Sequence, residues 1–287
     1  MRRASDVQKE SNQLTTVRDL TGVFESIAST QVSKIKDKVA MSKDFFDLLW
    51  QRYSLIRVDP GSRITERALN NSNGRSVIVC ISAEAGLSGD IDQRLIEVML
   101  KDYDKNTSDI VVLGSHGAAQ LKQQGIEYIR LFKIPESDYY IDVSPVIKAI
   151  QSYSKITIYY EAYISLGVQE IKKMDLISTL QTMSRESITD KNLITAQDTI
   201  FEPSLDEIAD LMESAMMTLA LSQTILESSL AQDASRFNAM ALAKKRAWEM
   251  LNLYRLEYHR AKRSEVDRRS REVMITLKRK KRVKKHV

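Results

Sequence analysis

The chain has few of the residues that interrupt helices, cross-link chains or hold metals. Its 287 residues include nine glycines, four prolines, three histidines and a single cysteine, Cys80. One cysteine excludes an internal disulfide and a thiolate cage for a metal. No group of histidines, cysteines and acids has the spacing of metal ligands, so we expect no metal and no other cofactor.

Long apolar runs are also missing. No segment approaches the roughly 20 apolar residues that a membrane-spanning helix needs. The first residues, Met1–Asp6, lack the apolar centre of a signal peptide. We therefore expect a protein of the cytosol or of a membrane surface.

Glycine and proline are wholly absent from residues 204–287. Because these two residues cost roughly 1 and 3 kcal/mol inside a helix, their absence predicts one continuous helix. Ser204 and Glu207 after Pro203 form a capping pattern at its start. Such a helix would be on the order of 120 Å long, too long to bury itself in a globule. Its apolar stripe consists of Ile208, Leu211, Ala215, Leu219, Ile225, Leu226, Leu230, Ala234, Phe237, Met240, Ala247, Leu251, Tyr254, Tyr258 and Ala261, and thins afterwards to Val266, Val273 and Leu277.

A second stretch without breakers, Val23–Asp59, predicts another long amphipathic helix. Its apolar positions step by seven, four and three residues: Ala28, Ile35, Val39, Phe46, Leu49, Tyr53 and Ile56. Residues 1 to 12 are polar and predict a disordered or loosely helical start. Each long helix has a stripe that the other could bury, so we expect an antiparallel coiled coil.

The middle of the chain alternates β-branched runs with amphipathic segments. This alternation predicts an α/β domain with a mainly parallel sheet. The predicted strands are Ser76–Ser82, Asp109–Gly114, Ile126–Phe132, Lys155–Ile164 and Gln169–Met174, and the predicted helices are Ile91–Tyr103, Ala118–Gln124 and Val143–Tyr153. We therefore predict a first coiled-coil helix at 13–59, an α/β domain at 75–200, a second coiled-coil helix at 204–277 and a basic tail at 278–287.

Positive charge is concentrated at one end. Residues 244–287 contain 17 lysines and arginines against five acids, a net charge of +12, whereas the net charge of the whole chain is +5. The first 243 residues therefore carry a net charge of −7. A basic end of this kind suits nucleic acid, anionic lipid or an acidic protein surface.

Two glycine-bearing turns are candidates for chemistry. The turn at Gly86 and Gly89 lacks the third glycine of a dinucleotide fingerprint and the Gly-Lys-Ser/Thr of a P-loop, so we interpret it as a tight turn. The pair Ser115 and His116 suggests a nucleophile and its base. However, the Gly-x-Ser-x-Gly elbow is absent, and adjacent residues in an extended turn point to different sides. No carboxylate pair embedded in an apolar run is recognised, and we predict no catalytic site.

Several strings, in order along the chain, resemble the gamma subunit of F-type ATP synthases. They are Val39–Lys43 (Val-Ala-Met-Ser-Lys), Ser82–Asp92 (Ser-Ala-Glu-Ala-Gly-Leu-Ser-Gly-Asp-Ile-Asp), Leu113–Gly117 (Leu-Gly-Ser-His-Gly), Phe201–Pro203 (Phe-Glu-Pro) and Glu227–Met240 (Glu-Ser-Ser-Leu-Ala-Gln-Asp-Ala-Ser-Arg-Phe-Asn-Ala-Met). The chain departs from the family pattern at Lys262-Arg263 and at Val266-Asp267, where the family has Arg-Gln and Ile-Thr. The resemblance is that of a divergent member.

The resemblance implies a non-catalytic rotor shaft that couples proton or sodium flow to ATP synthesis or hydrolysis. Its implied partners are the alpha, beta and epsilon subunits and the membrane c-ring, and its implied place is the cytoplasmic face of the cell membrane. Contact with the beta subunits is expected from Lys262, Arg263, Arg268 and Glu272.

Two alternatives belong to other classes. One is a coiled-coil adaptor for nucleic acid or the ribosome, although acids interrupt the basic run. The other is a hydrolase that uses Ser115 and His116.

Overall fold

The computed structural model describes residues 3–55, 74–134, 142–176 and 205–283. Contacts divide the chain into two compact units. The first unit combines Met1–Ile27 with Ala239–Val287, and the second comprises Ala28–Asn238. We call them the rod unit and the sheet unit.

Two long helices account for nearly half of the chain. Helix α1 spans Ala4–Leu55 and helix α5 spans Leu205–Val283, and each contributes to both units. Helix α1 therefore begins within the polar segment predicted to be disordered or loosely helical. Helix α5 continues to Val283, six residues beyond the end predicted for it. The capping residues Pro203 and Ser204 lie outside the described residues.

The sheet unit contains five strands: β1 (Ser76–Ile81), β2 (Ser108–Leu113), β3 (Arg130–Phe132), β4 (Lys155–Ser165) and β5 (Val168–Asp175). Their order in the sheet is β3-β2-β1-β4-β5. The first four are parallel, and β5 pairs antiparallel with β4 at the edge. The sheet is thus mainly parallel, as predicted, although β3 is shorter than the predicted Ile126–Phe132.

Three shorter helices connect the strands: α2 (Ile91–Leu100), α3 (Ser115–Gln123) and α4 (Ser144–Ile150). Pro145 occupies the first turn of α4, where a missing N–H costs no helical hydrogen bond. Asp109 of β2 accepts two hydrogen bonds from Arg75, at 2.6 and 3.2 Å, and one from the Tyr153 hydroxyl at 3.0 Å. These contacts connect the first residues of the sheet to the end of α4.

The central strands are continuously apolar because apolar groups cover both faces of the sheet. On one face, α4 and α5 pack against the sheet through residues such as Ile150, Leu221 and Ile225. On the other face, α2 and α3 contribute Leu95, Met99 and Leu121. Cys80 lies in this second core and is fully buried, which raises the pKa of its thiol.

The predicted stripe of α5 is confirmed from Ile208 to Ala261, except that Leu211 is 71% exposed. On α1, the predicted stripe is confirmed from Ala28 to Leu49, whereas the predicted positions Tyr53 and Ile56 lie outside the residues whose exposure is described. Ala28 and Phe46 are buried, and Ile35, Val39 and Leu49 are half-buried.

In the rod unit, α1 turns a largely polar face inward. Its half-buried residues include Ser11, Arg18, Thr21 and Glu25, and Glu25 accepts a 2.7 Å hydrogen bond from Lys244 of α5. Ala4 and Val7 are buried at the start of the helix and Leu14 is half-buried, but the later apolar residues point to solvent: Val17, Leu20, Val23, Phe24 and Ile27 are 39–56% exposed. The antiparallel pair is therefore present, but within the rod unit α1 has an outward apolar face.

Candidate functional site

The residues predicted to contact partners lie together on the last part of α5, within the rod unit. Lys262, Arg263, Arg268 and Glu272 are all exposed. Ala261 is the last buried residue of α5 among those whose exposure is described. We call residues 262–278 the basic segment. Large apolar side chains lie exposed among its charges: Val266, Val273, Met274, Ile275 and Leu277.

Several side chains of the basic segment make weak contacts. Arg268 and Glu272 form an ion pair at 3.7 Å, one helical turn apart. The Lys262 ammonium lies 5.9 Å from the centre of the Tyr258 ring. Glu265 accepts a 3.2 Å hydrogen bond from the backbone N–H of Ala4 in α1. Exposed pairs of this kind contribute at most about 1 kcal/mol, so these side chains are free to rearrange against a partner.

In the sheet unit, a buried polar cluster organises the turn that follows β1. The carboxyl group of Asp92 accepts hydrogen bonds from the backbone N–H of Ala83 at 2.8 Å and from the Ser88 hydroxyl at 2.9 Å. The third contact is with His116 Nδ1, at 2.9 Å. One carboxyl group thereby fixes both ends of the turn and the start of α3.

Ser115 and His116 do not form a nucleophile–base pair. The Ser115 hydroxyl donates to Glu84, which also accepts the backbone N–H groups of Ser115 and Ile134. The His116 ring lies against Asp92 instead. The two side chains point to different carboxylates, as predicted, although Ser115 and His116 begin α3 and are not in the predicted extended turn. Their geometry is that of turn stabilisation rather than nucleophilic catalysis.

Helix α5 contacts this turn directly, within the sheet unit. The Ser235 hydroxyl donates to the Ser88 carbonyl at 2.6 Å, and Arg236 donates to the carbonyls of Ala85 and Gly86 at 3.3 and 3.4 Å. Arg236 also pairs with Asp233. These contacts connect the turn after β1 to α5 by polar groups of fixed geometry.

Glu161 on β4 is the polar residue that the sequence analysis missed. It is fully buried, and its neighbours in the strand, Tyr160 and Ala162, are also buried. Burial raises its pKa, and the nearby Asp92 raises it further. This is a carboxyl pair embedded in an apolar run, so the prediction that no such pair exists is wrong. The signal available was an acid within an otherwise apolar strand; its partner Asp92 lies too far away in the sequence to be recognised.

Sequence comparison places these features in a family. The sequence model of the ATP synthase family matches residues 3–270. The ATP synthase gamma chain of Mycoplasmoides gallisepticum is 22% identical over 284 residues, covering 94% of this chain and 96% of the relative. That of Clostridium beijerinckii is 22% identical over 283 residues, covering 94% and 95%.

Solved structures show the same fold. A chain from the Euglena gracilis mitochondrial ATP synthase, in an OSCP/F1/c-ring structure, superposes with a TM-score of 0.67 at 13% identity, covering 95% of this chain and 94% of that chain. A chain from the rotor of the same assembly gives a TM-score of 0.62 at 14% identity, covering 91% and 99%.

The fold defines a protein with a pair of long terminal helices and a central α/β sheet. The chain belongs to the ATP synthase family, and the two relatives described above are gamma chains. Among the helices that the structure describes, none is long and apolar enough to cross a membrane.

Proposed function

We propose that this chain is the central rotor shaft of an F-type ATP synthase. The observation that carries the proposal is the family match over residues 3–270, on a chain whose two terminal helices pair and whose α5 has an exposed basic end. The partners are the alpha and beta subunits around the rod and the epsilon subunit and c-ring at the α/β domain. The location is peripheral, at the cytoplasmic face of the cell membrane.

The shaft acts by differential contact rather than by chemistry of its own. A helix pair is asymmetric in cross-section, so it offers a different face to each of several equivalent catalytic sites. A contact that binds one conformation of a site more tightly than another shifts that site toward the favoured conformation. Rotation of the shaft then carries each site through the nucleotide states in turn and couples ion flow to ATP synthesis or hydrolysis.

The contacts with the beta subunits are assigned to Lys262, Arg263, Arg268 and Glu272. All four are exposed, and the weak Arg268–Glu272 pair can open to bind a partner at small cost. Neighbouring apolar residues such as Val273 and Leu277 supply area that becomes buried when a partner surrounds the helix. The domain boundaries proposed for this function are 13–59, 75–200, 204–277 and 278–287.

Affinity purification from native membranes tests the proposal. The tagged chain, recovered from nuclease-treated extract, is expected to bring alpha and beta subunits and ATPase activity with it. Recovery without these subunits contradicts the rotor assignment. Recovery of nucleic acid that disappears on nuclease treatment, with no ATPase, favours the adaptor alternative.

Charge reversal tests the contact residues. A triple variant with Lys262, Arg263 and Arg268 changed to glutamate is expected to assemble but to lower coupled ATPase activity by on the order of tenfold, or about 1.4 kcal/mol. The physical reason is that three favourable contacts become repulsive. ATPase activity and ion pumping of the purified complex are the measurements.

The matched control reverses Lys105, Lys122 and Lys148, which are equally exposed but lie in the sheet unit. It makes the same change in net charge and is expected to leave ATPase activity near that of the unmodified complex. Equal losses in the two triple variants would show that net charge, and not the position on α5, is responsible.

A further inference from the structure

Glu161 lies where β4, α2 and α5 meet in the sheet unit. Its Oε2 atom is 3.3 Å from the Ser228 hydroxyl, which is 3.5 Å from the Ile81 carbonyl. The Gln232 amide donates to the same hydroxyl at 3.1 Å. Glu161 therefore contacts a polar side chain of α5 from within the sheet.

The other oxygen of Glu161 has an unusual environment. Oε1 is buried, and no donor in the described part of the chain reaches it. A buried carboxylate oxygen without a donor is costly, whereas a protonated oxygen needs only an acceptor. The Asp92 carboxyl group is close enough to form a hydrogen bond with Glu161, and that bond requires a proton between the two acids.

The groups that face Glu161 do not balance a negative charge. Asp92 of α2 is acidic, and its other contacts are Ala83, Ser88 and His116 of α3. Cys80 of β1 is near enough for Glu161 and Asp92 to raise the pKa of its buried thiol. Among the described residues of α5, the uncharged Ser228 and Gln232 face it. On the next turn of α5, Asp233 pairs with Arg236, which also donates to the turn after β1.

We propose that Glu161 and Asp92 share one proton, and that this acid pair holds α5 against the sheet only while the proton is present. With the proton in place, Glu161 donates to Asp92 and accepts from Ser228, and α5 stays attached to the sheet. Loss of the proton leaves two adjacent buried negative charges, which separate by moving α5 and the turn after β1 apart. The pair thus makes the attachment of α5 to the sheet sensitive to a rise in pH.

The sign of the pH dependence follows from the raised pKa of Glu161. The folded chain keeps this proton at pH values where the unfolded chain, with its ordinary pKa of 4.5, has lost it. The stabilisation is therefore complete below about pH 4.5 and is lost as pH rises through the pKa of the folded state. Within that window the unfolding constant is expected to rise about tenfold per pH unit from this one group.

Glu161→Gln in the full-length chain tests the proposal, because the glutamine amide imitates the protonated acid. It can donate to Asp92 and accept from Ser228 at every pH. Infrared spectroscopy over a pH titration is expected to show the C=O stretch of a protonated carboxylic acid that persists above the ordinary pKa of 4.5 in the unmodified chain, and that band is expected to be lost in Glu161→Gln. Hydrogen exchange, corrected for the intrinsic effect of pH, is expected to show that opening of α5 near Ser228 increases with pH more steeply in the unmodified chain than in Glu161→Gln.

Glu170→Gln is the matched control, since it makes the same change on the exposed face of the neighbouring strand. It should retain both the infrared band and the pH-dependent opening. The proposal is overturned if the unmodified chain has no such band, if the band persists in Glu161→Gln, or if opening of α5 depends on pH equally in the two chains.

Discussion

Replacing Gly114 by alanine is expected to destabilise the sheet unit by at least about 3 kcal/mol, the sum of a left-handed backbone penalty and a steric overlap. Gly114 has a φ of +99°, and a Cβ atom there would lie 2.1 Å from the carbonyl oxygen of Ser82 and 2.8 Å from that of Ala83. Both carbonyl oxygens belong to the backbone, so neither can move without breaking the backbone hydrogen bonds of this region. The Ser82 N–H and His116 N–H bonds to Leu113 and Ala83 hold these segments in place.

Gly125→Ala separates the two causes. Gly125 also has a positive φ, of +71°, but nothing lies within 4 Å of the position that its Cβ would take. Only the backbone penalty of about 1 kcal/mol remains there. Hydrogen exchange of the amides of β1 and β2, which reports on the sheet unit by itself, is the measurement. Similar losses in the two variants would show that close packing against Ser82 is not what requires glycine at 114.

Asp92→Ala is expected to cost about 3 kcal/mol or more, because it leaves buried donors without an acceptor. The Ala83 amide, the Ser88 hydroxyl and the His116 ring all lose the same partner. Each such loss costs roughly 1–3 kcal/mol when water cannot enter. We expect the turn after β1 to open first, which hydrogen exchange at Ala83 and Ser88 would detect.

Asp90→Ala is the control for that variant. Asp90 precedes α2, is exposed and makes no capping hydrogen bond through its side chain. Removing it is expected to change the free energy of unfolding by no more than about 0.5 kcal/mol. If Asp92→Ala were equally mild, the hydrogen bonds that converge on its carboxyl group would have little energetic value.

The sheet and the two long helices could be predicted because their signals are local. Runs such as Ser76–Ile81 are apolar on both faces, which is typical of a central parallel strand. The lack of glycine and proline after residue 203 predicts a single helix, and α5 is unbroken from Leu205 to Val283. The start of strand β3 could not be predicted from the apolar pattern, because pairing with β2 limits the strand to Arg130–Phe132.

The acid pair could not be predicted because its members meet only through the topology. Glu161 and Asp92 belong to a strand and a helix that are separated by β2, α3, β3 and α4. Nothing near Asp92 in the sequence shows that it will face a second buried acid. The exposed apolar face of α1 could not be predicted for a related reason. Residues such as Phe24 and Ile27 fit a helical stripe, but periodicity does not show whether α5, another protein or solvent lies against that stripe.

The outward apolar face of α1 has a consequence for a copy of the chain that has not assembled with its partners. In the rod unit, polar residues such as Thr21 and Glu25 lie toward α5, so the helix pair gains little from apolar burial there. The part of α1 from Val17 to Ile27 is therefore expected to open at lower free energy than the sheet unit and to expose cleavable backbone. Proteases and chaperones recognise such segments, so surplus copies would be removed and the abundance of the chain would follow that of its partners.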